Sequence, residues 1–368
     1  MVLTAGDEFP IHQTPEPVAY AGTDRNFYDR YFFNGYAPDG SGFFAVAFGV
    51  YPQLDVADAH VSFIRDGKQY SLHASCELGM ERMAMKVGPI AIEILEPLNR
   101  LKVTIDETDG IAGELIFTAR SAPLEEPRFM HRIGPRAFMD YTRMTQNGHY
   151  TGWLSLDGDR RDLAAGTAGT RDRSWGIRPV GAKDPQVIPG APAPSFFWQW
   201  TPINLNNGSL FFHINADTSG NAWNTRAAWA ADGAGQADIT HGRGLLAAGC
   251  EAGTRWPDGG TSTIALELDQ GPQTITLKPL ARFQMKGLGY THPVWNHGLH
   301  HGTLKVEREE FDLDTLDPLS PDNLHVQVLC KATALSDDGA TEGMGVFEQL
   351  VIGPYAPMGL SELLDGAK

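Results

Sequence analysis

Val61-Ser62-Phe63-Ile64-Arg65, then Asp66-Gly67, then Lys68-Gln69-Tyr70-Ser71-Leu72 is the stretch that decides the fold. Two runs of strand-forming residues flank a two-residue turn, and Asp-Gly supplies the positive φ angles a type I′ hairpin demands. Upstream, Phe44, Val46, Phe48 and Val50 alternate between Gly42 and Tyr51 and share one face of an extended strand. Downstream, Leu101-Lys102-Val103-Thr104-Ile105 and Gly113-Glu114-Leu115-Ile116-Phe117 flank a turn at Asp109-Gly110. The C-terminal half repeats the style. Ile264-Ala265-Leu266-Glu267-Leu268 and Gln273-Thr274-Ile275-Thr276-Leu277 flank Gln270-Gly271-Pro272, and Leu324 to Leu329 and Val346 to Ile352 follow. Short strands at this density specify an all-β sandwich or barrel and not a βαβ fold. One short helix is expected at Ser361-Glu362-Leu363-Leu364, with Ser361 as its cap.

The 368 residues correspond to two domains of ~150 residues each. Pro179, Pro185, Pro189, Pro192 and Pro194 exclude a central strand or helix interior, so residues 179–194 are read as a linker. Domains are then expected at residues 1–178 and 195–368. A hydrophobic content of 42 % supports a sizeable core, and no apolar run approaches the roughly 18 residues of a membrane-spanning helix. The first residues carry neither a basic nor an apolar leader, which points to the cytoplasm. A net charge of −16 without a Lys/Arg cluster disfavours nucleic acid as a partner. Cys76, Cys250 and Cys330 are odd in number and far apart, so they read as buried reduced thiols.

Nucleophile-elbow, phosphate-loop and HExxH motifs are absent from the sequence. Three other features carry chemistry. In Arg171-Asp172-Arg173-Ser174-Trp175-Gly176, Asp172 is either an ion-pair partner fixing a strand end or a carboxyl at the base of an apolar cavity, able to donate a proton. In Tyr290-Thr291-His292-Pro293-Val294-Trp295-Asn296-His297-Gly298-Leu299-His300-His301, imidazoles and aromatics crowd together. Adjacent His300 and His301 point to opposite faces of a strand and complete no familiar ligand spacing, so no metal is assigned. His292 and His297 are the acid–base candidates, with Tyr290 and Trp295 lining a pocket. In Phe196-Phe197-Trp198-Gln199-Trp200, Trp198 and Trp200 share one strand face and could shelter a developing cation.

The Arg171-Asp172-Arg173-Ser174-Trp175-Gly176 segment resembles the Trp-Asp-His-Asn-aromatic-Gly signature of the carotenoid 1,2-hydratase (hydroxyneurosporene synthase) family, within the AttH-like group of paired lipocalin-like domains. The segment around His292 and the late Gly343-Met344-Gly345-Val346-Phe347-Glu348 are similar to that group's C-terminal domain. The resemblance implies two packed lipocalin-like β-barrels, with an apolar cavity at or near their junction and no redox cofactor. It also implies that Asp172 protonates a C=C bond and that Trp175 takes the place of the aromatic before glycine. Arg171 and Arg173 stand where the family has Trp and His. Two cations favour the carboxylate, which makes Asp172 a base or moves the chemistry to the histidine segment.

Taken together, the residues point to a cofactor-independent lyase or isomerase (a hydratase or cyclase) acting on a hydrophobic terpenoid- or polyketide-like molecule. The alternative is a non-catalytic carrier of an apolar ligand. Asp172, His292, His297 and Glu348 are the expected proton-handling residues. Arg171, Trp175, Trp198, Trp200, Tyr290 and Trp295 are the expected substrate contacts. Peripheral membrane contact is left open as a route for the substrate, and oligomeric state is undetermined.

Overall fold

A computed structural model describes residues 3–12, 24–186, 194–246, 260–269, 271–336 and 339–366. Pro189 and Pro192 of the expected linker, Gln270 of the expected turn and Cys250 lie outside the described residues. Among the described residues the fold is all-β, 60 % strand, with no helix of seven or more residues. It comprises one closed eight-strand barrel and one half-barrel sheet, the lipocalin-like all-β architecture expected from the sequence. The chain divides into two compact units, residues 1–191 with 287–311, and residues 192–286 with 312–368.

The first unit is an open, curled antiparallel sheet. Its order runs Leu304–Asp312, Lys68–Glu77, Val56–Arg65, Phe43–Tyr51, Phe27–Tyr36, Ala168–Ile177, Arg136–Leu156, Ile111–Ala119, Arg100–Thr108, Ile90–Glu96 and Lys86–Val87. The Asp66–Gly67 turn has φ of 52° and 79°, as the hairpin chemistry requires. Phe44, Val46, Phe48 and Val50 all enter the core, together with Tyr31, Phe33, Phe63, Phe117 and Tyr150. The pleat therefore sends Ala45, Ala47 and Gly49 to the other face, which is also buried.

The second unit closes on itself. Phe196–Trp200 and Ile203–Leu205 share one place between Gly208–Ala216 and Gly339–Ile352. From Gly208–Ala216 the sheet continues through Ala222–Ala231, Thr240–Leu246, Ser262–Leu268, Gly271–Gln284 and Val326–Ser336, and returns to Gly339–Ile352. Phe197, Phe212, Ile264, Leu266, Val328 and Phe347 fill its core. Trp198 and Trp200 share the opposite face, as their spacing indicates.

The helix expected at Ser361 does not form. Residues 362–364 are bends, and both the backbone N–H and the hydroxyl of Ser361 donate to Asp365. Between Gly359 and Gly366 the segment is too short to offset helix nucleation.

The hairpin turn predicts a stability effect. Gly67→Val forces a β-branched residue to positive φ and is expected to cost roughly 1–2 kcal/mol. A lowered urea midpoint with an unchanged m-value would register it.

Candidate functional site

Residues equidistant from the Asp66–Gly67 turn pair across the hairpin, so His60 lies directly opposite His73. Ala57, Ala59, Val61 and Phe63 take the apolar face of their strand. His60, His73 and Asp58 therefore share the other face, where all three are buried. The imidazoles are in contact, Nδ1 to Nδ1, at 2.9 Å. At its far end His73 Nε2 lies 3.4 Å from Glu309 Oε2, on the strand that pairs beside it. His292 Nε2 reaches the same oxygen at 3.1 Å.

The proton positions follow from these contacts. His292 Nδ1 accepts the backbone N–H groups of Val294 and Trp295 at 3.0 and 2.8 Å, so its proton is on Nε2 and is donated to Glu309. Burial pushes the Glu309 carboxyl up, but the hydrogen bonds from His292 and His73 outweigh it and hold the group down at about 2. An ionised Glu309 only accepts, which places the His73 proton on Nε2 as well. His73 Nδ1 must then accept from His60 Nδ1–H, and His60 Nε2 is left as a bare lone pair. That atom is buried without a hydrogen-bond partner among the described residues, and Asp58 Oδ1 stands 3.8 Å away. Gly289, at φ +85°, packs close beside it, where a Cβ would lie 3.0 Å from His60 Nε2 and 2.5 Å from the Trp295 carbonyl. Burial lowers the pKa of His60 and brings that of His73 down to about 4, so both are neutral at pH 7.

The rest of the histidine segment packs around this chain. Trp295 stacks on the His73 ring at 5.3 Å. Tyr290 meets His297 edge-on at 4.3 Å. His297 donates from Nε2 to the Leu288 carbonyl at 2.8 Å and accepts at Nδ1 from Arg30, also at 2.8 Å. Burial and the Arg30 and Arg178 charges keep it neutral, with both nitrogens engaged. Arg30 lies over the Tyr290 ring at 4.7 Å, and its Nε and Nη2 are buried with no hydrogen-bond partner among the described residues. Asp58 accepts from Tyr51 and from the Gly298 N–H. His300 is exposed beside Glu77, and His301 lies against Trp295.

Asp172 joins the same face. One cross-strand row runs Asp172, Phe32, Ala47, His60, His73. Three strand spacings put Asp172 about 14 Å from His60 along the sheet. It is half-buried, and its charge acts on Tyr28 and Arg143. Its arginine neighbours in sequence point the other way. Opposite Phe33 and Tyr31, Arg171 and Arg173 face the core and are wholly buried. Arg171 is bidentate to Glu8 at 2.7 and 2.9 Å, and Arg173 pairs with Asp29. Trp175, on that inner side, stacks on His12 at 3.7 Å.

Glu348 belongs to the second unit. It accepts from Trp198 Nε1 at 3.0 Å, His325 Nε2 at 2.9 Å and Gln327 Nε2 at 2.5 Å. Burial raises its pKa, but the His325 charge and these donors outweigh that and keep it ionised. Trp200 is buried on the same strand.

His73, His292 and Glu309 present ligand atoms within 4.8 Å of one another. A neutral histidine binding a metal through Nε2 carries its proton on Nδ1 and donates it onward. His292 Nδ1 instead receives two N–H groups, so this donor set suits a proton and not a cation.

Residue patterns picked out Asp172, His292 and His297 but not His60, His73, Glu309 or Arg30. The hairpin register held a usable signal for the first two of these. Glu309, in a run of charged residues, and Arg30, in an aromatic strand, carried none.

The chain belongs to a family described as a family of unknown function (DUF8625), whose model matches residues 3–361. No curated protein matches it. An AttH-assigned protein from Nitrosomonas europaea shares its fold at 14 % identity, covering 89 % of this chain and 94 % of that one, with a TM-score of 0.51. CghA crystallised with Sch210972 is similar at 12 % identity over 90 % of each chain, also with a TM-score of 0.51.

The pKa shifts predict how stability responds to acid. Unfolded His73 takes up a proton near 6.5 while the folded residue resists until about 4, so stability falls as pH drops through that window. Glu309, depressed from 4.5 to about 2, adds a further loss between those values. Urea midpoints measured from pH 7 to 3 should fall throughout, and His73→Asn should flatten the segment between 6.5 and 4.

Proposed function

We propose that this chain is a cofactor-independent lyase or isomerase that moves protons on a hydrophobic small molecule, of terpenoid or polyketide kind, at the polar face of the first unit. The observation that carries the reading is the pair of idle buried groups, His60 Nε2 and Arg30 Nε/Nη2, on one face with Asp172. His60 Nε2 is the base. A carbon-bound proton passes to it, and the electron pair left behind either expels a β-oxygen substituent as the new double bond forms or delocalises onto a carbonyl as an enolate. Arg30 offers its free N–H groups to the oxygen on which charge develops. Asp58 at 3.8 Å and Glu309, through His73, steady the imidazolium from both ends. The proton returns from His60 to the acceptor carbon, and Asp172, farther along the same row, stands as a carboxylate. Ala47 and Gly49 lie side by side with Phe32 and Arg30, and the Tyr51 ring packs over Gly49. His292 holds Glu309, while Tyr290 and Trp295 hold the imidazoles and Arg30 in place.

A second reading, a carrier of an apolar ligand, is favoured by the closed apolar barrel of the second unit. CghA, of like fold, was crystallised with Sch210972, which suits either reading.

Incubation in D2O with a panel of polyprenyl alcohols, enones and β-dicarbonyl compounds, followed by mass spectrometry, separates the two. The enzyme reading expects deuterium incorporation or product. His60→Gln should reduce the rate about 10²–10⁴-fold and Arg30→Met about 10²–10³-fold, with ligand affinity nearly unchanged. Binding of panel members by the wild-type protein with no turnover of any establishes the carrier instead.

The pH dependence has a definite sign. Burial lowers the pKa of His60 from 6.5, and protonation of Nε2 removes the base. The rate is therefore expected to be flat near neutrality and to fall on an acid limb below 6.5. A rate that rises on acidification would overturn His60 as the base.

A further inference from the structure

The opposite, inner face of the same sheet holds a charge cluster that the proton chemistry does not use. Arg171 and Arg173 are wholly buried there among aromatic rings, with Arg171 over Phe117 at 5.4 Å and Arg173 over Tyr31 at 3.9 Å. A planar guanidinium in such surroundings demands a carboxylate with matching geometry. The carboxylate comes from outside the sheet. Glu8, at the end of the short turn Ala5–Glu8, meets Arg171 through both oxygens at 2.7 and 2.9 Å. Arg171 Nε is held by Gln146 at 2.8 Å, and the Leu98 N–H closes on Glu8 Oε2 at 2.7 Å. Gln146, Leu98 and the fork of Arg171 thus form a complete carboxylate cradle on the sheet and its loops.

The occupant is a short segment whose other residues are largely apolar. Leu3 and Pro10 are buried, and Phe9 and Ile11 are half-buried. No strand pairing holds residues 3–12. Their anchors are Glu8, the Tyr31 hydroxyl on the Glu8 carbonyl, Arg173 on the Asp7 and Phe9 carbonyls, and His12 between Asp7 and Asp29. In chemical terms the segment is a tethered acid whose apolar neighbours Leu3, Phe9, Pro10 and Ile11 are buried or half-buried beside it.

We propose that Arg171, Gln146 and the Leu98 N–H form a binding site for the carboxylate of a hydrophobic acid, and that Glu8 is its built-in, exchangeable occupant. At Arg171 the exchange trades one carboxylate for another and leaves the charge balance of the cradle unchanged. The ligand's hydrocarbon body takes the space that Leu3, Phe9, Pro10 and Ile11 occupy. The site lies on the face away from His60 and does not rest on the acid–base reading.

The test uses the full chain and dodecanoate below its micellar concentration, with dodecan-1-ol as the uncharged control. Calorimetry measures binding, and hydrogen exchange of the peptide spanning residues 3–12 reports whether the segment is released. Dodecanoate is expected to bind saturably and to speed exchange in that peptide at least about tenfold, while dodecan-1-ol does neither. Glu8→Gln removes the competing charge and is expected to tighten dodecanoate binding by on the order of tenfold. Absence of saturable binding to both proteins overturns the proposal. So does binding that leaves exchange at residues 3–12 unchanged. If Glu8→Gln fails to fold, the wild-type exchange measurement decides alone.

Discussion

The pleat of the strand governs what every polar residue of the first unit can do. Alternation sends Phe44, Val46, Phe48 and Val50 into a common core and leaves Ala45, Ala47 and Gly49 on the reverse side. Antiparallel register then lines up residues from distant parts of the chain, so that Asp172, His60 and His73 fall on one row. A slip of one residue in any of these strands would exchange the two faces and dismantle both charge systems together.

The two faces resolve the cost of buried charge differently. On the inner side Arg171 and Glu8 neutralise each other with nearly ideal fork geometry, while Arg173 meets Asp29 through one nitrogen and the Asp7 and Phe9 carbonyls through another. On the reverse side Asp58 and Glu309 bracket two neutral imidazoles with a single shared proton between them. The first arrangement is static until a competing anion arrives. In the second, adding or removing one proton resets the tautomer of both rings, which is why it suits chemistry.

Much of the architecture was legible from local signals. The Asp66–Gly67 turn, the alternation around Phe44 to Val50 and the split between Phe197 and Trp198 all depend on neighbours in sequence, and all three appear as read. The charge network was less legible because its members meet through register across many strands. Nothing near Glu8 announces Arg171, and nothing near Glu309 announces His73. Asp172 stood out beside two arginines, yet the pleat turns its side chain away from both. The helix expected at Ser361 failed for want of length, a limit that local capping signals do not register.

The strand Leu304–Asp312 closes one edge of a sheet whose other members all precede residue 178, with most of the second unit lying between them in the chain. On the ribosome, the first unit therefore emerges with a bare edge on Lys68–Glu77 and waits for more than half of the second unit to be synthesised. Glu309 arrives on that last strand. The nascent protein consequently completes its imidazole–carboxylate chain only at the final step of sheet assembly, so a truncated or stalled product would hold paired histidines with Asp58 at one end and no carboxylate at the other.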